Sequence, residues 1–225
     1  MRKYLIFFIV ILSFNVKAQM SKTVVNEGLN LIYENYNKGI FVIKDKLNKK
    51  YEPKFSKAKT DKEKEVLNAE YEKDYNFYLP EAKALQAKKI EELKSFIKKI
   101  ETLNPRIGKK KISDNSVVLT KEEDKIISNA GNVSSQEMND MRKAFADSFR
   151  TDYIDYSDGV LRTNIRMIVD SDGYLKSITA SGSNEEFNYL SIITLYSLNK
   201  KFKPLEQNGY YMLSSYQLPI SLNFE

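Results

Sequence analysis

Residues 216–224 read Tyr-Gln-Leu-Pro-Ile-Ser-Leu-Asn-Phe. Tyr216, Leu218, Ile220, Leu222 and Phe224 alternate with Gln217, Pro219, Ser221 and Asn223. Strict period-two alternation marks a strand with one buried and one wet face. Pro219 lacks a backbone donor, which places the strand at a sheet edge. An edge offers unpaired N–H and C=O groups to another chain. The buried row predicts that Leu222→Asp unfolds the domain.

Working back from this strand, Asn208-Gly209 is a tight turn and Pro204 a helix stop. Residues 183–186, Ser-Asn-Glu-Glu, read as a capping box opening a helix that runs to about Lys201. Phe187, Leu190, Ile193, Leu198 and Phe202 are its expected core residues. Asp170-Ser171-Asp172-Gly173 is a hairpin signal with glycine where positive φ is needed. It joins an alternating strand over 160–169 to a second over 174–180. Residues 134–150 form a helix with Met138, Met141, Phe145 and Phe149 on its apolar face. The expected order is helix, strand, strand, helix, long strand.

Upstream, residues 22–103 carry helical patterning. Leu29, Ile32, Tyr33, Tyr36 and Ile40 fall on one face. Gly39 weakens that helix, and Pro53 ends the helical stretch after it. Thr60 or Asp61 caps the next helix, and Val66, Leu67, Tyr71, Tyr75 and Tyr78 give its stripe. Pro80 is read as a break before a helix over 81–103. The expectation is a small antiparallel bundle or coiled coil. Residues 105–133 read as a linker, rich in turn residues.

The chain has 225 residues and no Cys, His or Trp. Disulfides, thiol nucleophiles, imidazole bases and the usual zinc sites are thereby excluded. Residues 1–18 look like a secretory signal: Arg2 and Lys3, an apolar run over 4–14, and Val16-Lys17-Ala18 before Gln19. As a helix the run would span only ~16 Å, short of a ~30 Å bilayer core. This implies a periplasmic chain, an uncleaved inner-membrane anchor being the alternative. Charge is polarised. Residues 38–111 carry 21 Lys+Arg against 12 Asp+Glu, and residues 112–225 carry 11 against 16. The lysines make a solvated helix face, or else contact an anionic envelope surface. The tyrosines keep to the helical stripe rather than interleaving with lysines, so no nucleic-acid partner is expected.

The order of signals in residues 134–225 resembles the TonB carboxy-terminal domain family. The residues that carry it are Gly159, the alternating strand 165–169, Asp172-Gly173, Phe202-Lys203-Pro204, Asn208-Gly209, and Leu218-Pro219-Ile220 with Phe224. The resemblance covers residues 134–225 and implies a small α-β-β-α-β domain there; with the helical, Lys-rich region (19–104) and the linker (105–133) read from patterning, the expected fold class is α+β. It also implies strand addition, in which a segment of an outer-membrane receptor or envelope protein joins the sheet edge. The matching edge residues are Tyr216, Gln217, Leu218, Pro219, Ile220, Ser221, Leu222 and Asn223. A full energy transducer carries an amino-terminal membrane helix and a Pro-rich spacer; here a signal-like segment and Lys-rich helices stand instead. The helical region is expected to act as spacer, homo-oligomerisation element or anchor. The alternative is a structural envelope protein working through that region. Catalysis is not expected. Asp170 and Asp172 are explained by a turn, Asp152, Asp155 and Asp158 by an exposed loop, and no cofactor- or metal-binding pattern is present.

Overall fold

The computed structural model describes residues 21–118, 127–128, 135–154 and 159–224. The signal-like segment and residues Asp155 and Asp158 lie outside them. The chain is α+β. In order, its elements are α1 (Lys22–Phe55), α2 (Asp61–Leu103), β1 (Lys110–Lys111), β2 (Ile127–Ser128), α3 (Ser135–Ser148), a 3-10 turn (Thr151–Tyr153), β3 (Gly159–Val169), β4 (Leu175–Gly182), α4 (Glu185–Ser197), β5 (Leu205–Gln207), β6 (Tyr210–Met212) and β7 (Ser214–Phe224). Two compact units result. One comprises residues 28–93; the other comprises residues 94–225 with the chain start. The sheets' unit therefore includes the last turns of α2 and the segment after it.

The helical unit pairs α1 with most of α2. Ile43, Leu47 and Tyr51 are buried, and Phe55, Tyr71, Tyr78, Ala82 and Leu85 pack on them. Thr60 and Glu63 form a reciprocal cap: Glu63 N–H donates to Thr60 Oγ1 (3.2 Å) and Thr60 N–H to Glu63 Oε2 (3.1 Å). The prolines do not act as sequence reasoning expects. Pro53 lies inside α1, and Pro80 inside an unbroken α2. An interior proline costs a helix about 3 kcal/mol. Tyr78, Ala82 and Leu85 flank Pro80 and all reach the apolar cluster, so packing on both sides offsets that local cost. Gly39 allows a close helix crossing, since a Cβ there would lie 2.8 Å from Leu85 Cδ1.

In the other unit, β3 is the central strand. It pairs antiparallel with β4 on one side and with all of β7 on the other, from Gly159↔Phe224 to Val169↔Ser214. The sheet order is β2-β7-β3-β4, with β2 parallel to β7. A second, antiparallel sheet has the order β1-β6-β5. Its β5–β6 turn is Asn208-Gly209, both at positive φ (51° and 79°), as a two-residue hairpin turn of right-handed twist needs. The single long strand that the sequence predicts over Tyr210–Phe224 is thus two: β6 ends at Met212, and β7 begins at Ser214.

Helix α4 packs on β3 and β4. Phe187, Leu190, Ile192, Ile193, Leu195 and Tyr196 are all buried, so the helix is enclosed around most of its circumference. Its cap is Asn184, whose side chain accepts from Phe187 N–H at 2.8 Å, not Ser183. The helix stops at Ser197, short of Lys201. Opposite the β4 bulge, where Ser177 has φ 47°, the Tyr196 hydroxyl accepts from Ile178 N–H at 3.1 Å and donates to Glu101 at 3.2 Å. Burial pushes the Tyr196 phenol well above its ordinary range.

Asp170 joins the segment after α2 to the hairpin. It is fully buried and accepts from the backbone N–H groups of Ile107, Gly108 (3.2 Å) and Ser171 (2.7 Å). Burial raises its carboxyl above the usual value, although these donors oppose the shift. Alongside, Asn104 bonds the Leu175 carbonyl and Lys176, and Lys176 pairs with Asp172 at 3.4 Å. The turn closes through Gly173 at φ 84°. A Cβ there would fall 2.3 Å from the Phe202 carbonyl oxygen, so only glycine fits.

Each unit holds one carboxylate whose loss should register in stability. Asp170→Ala leaves three backbone donors without that acceptor and is expected to lower stability by about 1–3 kcal/mol, measured by denaturant unfolding. In the helical unit, bonds from Lys50, then Tyr51, hold the Asp74 carboxyl below its ordinary value. A depressed carboxylate stabilises the fold above the unfolded value, and this contribution is lost as pH falls through the folded value. The melting temperature is therefore expected to drop on acidification below the ordinary Asp range, with a shallower slope in Asp74→Asn.

Candidate functional site: an open sheet edge beside an apolar cleft

The register of β7 against β3 determines what the edge can offer. Pro219 stands opposite Asn164. A ladder loses nothing at a proline only where the missing N–H would have faced the open side. That parity turns the backbone groups of Gln217, Pro219, Ser221 and Asn223 outward and those of Leu218, Ile220 and Leu222 toward β3. Among the described residues, β2 is the only strand on the outer side of β7, and it pairs only with Ser214 and Ser215. From Tyr216 onward no other described strand pairs with that side of β7.

Side-chain burial has the same period. Tyr216 is buried and Leu218 is 0% exposed, while Gln217, Pro219, Ser221 and Asn223 are exposed. Ile220 and Leu222 are only half-buried. The expectation that Leu222 sits in the buried row is corrected: the enclosed part of the row ends at Leu218, and beyond it the inner face opens into a cleft of about 300 Å³.

Residues from α3, the 3-10 turn and α4 line that cleft together with β7. Helix α3 and the residues just after it contribute Arg142, Phe145, Ala146, Phe149 and Thr151; Phe187 comes from α4. Met141 and Phe145 of α3 are buried, as the i, i+4 spacing implies. Phe145 lies 5.2 Å from Phe149, and Phe149 meets Phe187 edge-on at 5.6 Å. The aromatic wall is thus braced against the core. The cleft runs beside residues 218–222 of the edge strand, so a chain pairing with β7 would lay alternate side chains toward it. Sequence reasoning identified the edge and the α3 stripe separately. It did not bring them together, because the cleft that α3 and β7 share is formed only in the tertiary fold.

The carboxylates considered for catalysis are otherwise engaged where described. Asp170 holds the segment after α2, Asp172 accepts from Tyr174 N–H at 2.9 Å, and Asp152 makes a two-bond pair with Arg150 (2.8 and 2.7 Å). That pair holds the Asp152 carboxyl low. Among the described residues, no group of three His, Cys, Asp or Glu is placed to hold a metal ion, and no helix is long and apolar enough to cross a membrane.

Burial sets the ranking of two substitutions. Leu218→Asp is expected to abolish cooperative unfolding, because it places a charge in fully enclosed apolar surroundings. Leu222→Asp, at the half-buried cleft, is expected to leave a folded chain with a reduced melting temperature. Circular-dichroism melts of the two variants make the comparison. Searches of protein-family models, curated proteins and solved structures return no match to this chain.

Proposed function

We propose that this chain is a TonB-like periplasmic binding module. Its edge strand β7 takes up an extended segment of an outer-membrane receptor or another envelope protein by strand addition, in the service of energy-dependent transport. The observation that carries this reading is the edge beyond Ser215, which no described strand covers, set beside an apolar cleft. Main-chain bonds to an edge supply affinity without sequence preference, and a pocket for alternate side chains supplies register. The order of Gly159, Asp172-Gly173, Phe202-Lys203-Pro204, Asn208-Gly209 and Leu218-Pro219-Ile220 supports the same reading through its resemblance to the TonB carboxy-terminal domain.

A second reading draws on the helical unit, where Phe41 is 67% and Phe77 77% exposed. Large apolar side chains in water suit an oligomerising or scaffolding role in the envelope. On that reading the sheets serve only to pack, and β7 binds no peptide.

Proline substitution separates the two. Ser221→Pro and Asn223→Pro remove outward donors and are expected to leave a folded chain that binds receptor-derived peptides more weakly. The loss is about 0.5–1.5 kcal/mol per bond, or roughly two- to tenfold in affinity. Ile220→Pro removes a donor to β3 and is expected to destabilise the fold itself. Ser221→Ala should bind as the parent does. Equal binding by all folded variants, or no binding by the parent across a broad peptide panel, would favour the scaffolding reading.

A further inference from the structure

Among the described residues, the wet face beside β7 is one-sided in charge. Beside β7, β3 presents Arg162 opposite Ser221 and Arg166 opposite Gln217, both exposed. The other described outward residues around them are Val160, Asn164, Thr179, Ser181, Pro219 and Asn223, all uncharged. Neither arginine pairs with a carboxylate among the described residues. On the opposite face Arg142 lines the cleft, and among the described residues no carboxylate does. Resting on the strand-addition reading above, we propose that the segment accepted by β7 carries acidic side chains on the alternate residues that face the wet side, and apolar ones on those that face the cleft.

Strand spacing sets what the arginines can reach. A strand added outside β7 lies ~4.8 Å from it and ~10 Å from β3. Its wet-face side chains stand in the row that runs across β7 to β3. At Ser221 the intervening side chain is short, so the guanidinium of Arg162 can reach across it toward a carboxylate on the guest. Arg162 and Arg166 are four residues apart, about 13 Å along a strand at ~3.3 Å per residue. That is too far apart to converge on one phosphate. It equals the separation of acidic residues four positions apart on an adjacent strand. The row spaces carboxylates correctly for either polarity of the guest. Because β2 already occupies Ser214 and Ser215, the guest's paired stretch begins beyond them.

The test uses the full chain and capped synthetic peptides of about eight residues, enough to span residues 216–223 at ~3.3 Å per residue. Valine alternates with glutamate in one peptide, with glutamine in a second and with lysine in a third. Fluorescence anisotropy is expected to rank glutamate first and lysine last. The glutamate peptide should lead the glutamine peptide by about fivefold, the scale of two exposed ion pairs. That margin should shrink as salt is raised. In the double variant Arg162→Gln with Arg166→Gln, both peptides should bind with one affinity, while the melting temperature stays that of the parent. Equal binding of glutamate and glutamine peptides to the parent overturns the charge rule and leaves strand addition standing. So does a margin that survives in the double variant. Binding of no peptide at all overturns strand addition, and the charge rule with it.

Discussion

The pairing of β3 with β7 runs unbroken over their full lengths, from Gly159↔Phe224 to Val169↔Ser214. Side chains alternate with period two, so this single register decides which residues of both strands are enclosed. It turns Leu161, Ile165 and Met167 inward with Tyr216 and Leu218, all of them buried. It turns Arg162, Asn164 and Arg166 outward with Ser221, Pro219 and Gln217. A slip of one residue would bury two arginines and expose the apolar row. The remaining elements fit around that choice. Helix α4 covers the inner face over β3 and β4, and α3 flanks the part that α4 does not close.

A second constraint holds the start of this unit in place. The segment after α2 has few apolar side chains to bury, and its backbone donors at Ile107 and Gly108 need an acceptor. Asp170 supplies it from the end of β3. The same short turn provides Gly173, whose carbonyl accepts from Phe202 N–H at 2.8 Å. One four-residue turn therefore ties down both the segment entering the sheet and the segment leaving α4. A carboxylate read as turn chemistry proves to be a tertiary fastener, and its burial is what raises its carboxyl.

How much of this could be read from sequence depends on the range of the forces involved. Turns written in glycine and asparagine were legible, because the φ angles at Gly173, Asn208 and Gly209 are local demands. The faces of β7 and α3 were legible from their periods, since burial repeats with the backbone. Helix continuity was not. Pro53 and Pro80 carry a real local penalty, and only the apolar cluster around Ile43, Leu47 and Tyr51 outweighs it. The break of the final strand at Leu213 was also hidden. Leu213 is itself apolar and buried, so composition gave no sign that β6 and β7 belong to different sheets. The candidate site was half legible: its edge came from alternation and a proline, but the cleft needed α3, some seventy residues earlier in the chain.

An open edge invites pairing with another copy of the same chain, and β7 carries features that oppose this. Pro219 sits near the middle of the open stretch and interrupts its row of donors. Two copies joined through this edge would each bring that gap. Each would also bring Arg162 and Arg166, one strand behind the contact and on an exposed face without carboxylates among the described residues. Like charges drawn together across a new sheet repel, whereas a segment bearing acids at the matching spacing is drawn in. The proline and the arginines thus act on the same choice from two sides. On the proposed strand addition, the donors that remain at Gln217, Ser221 and Asn223 would serve a short guest strand. The charge behind them makes a second copy of β7 the poorer guest.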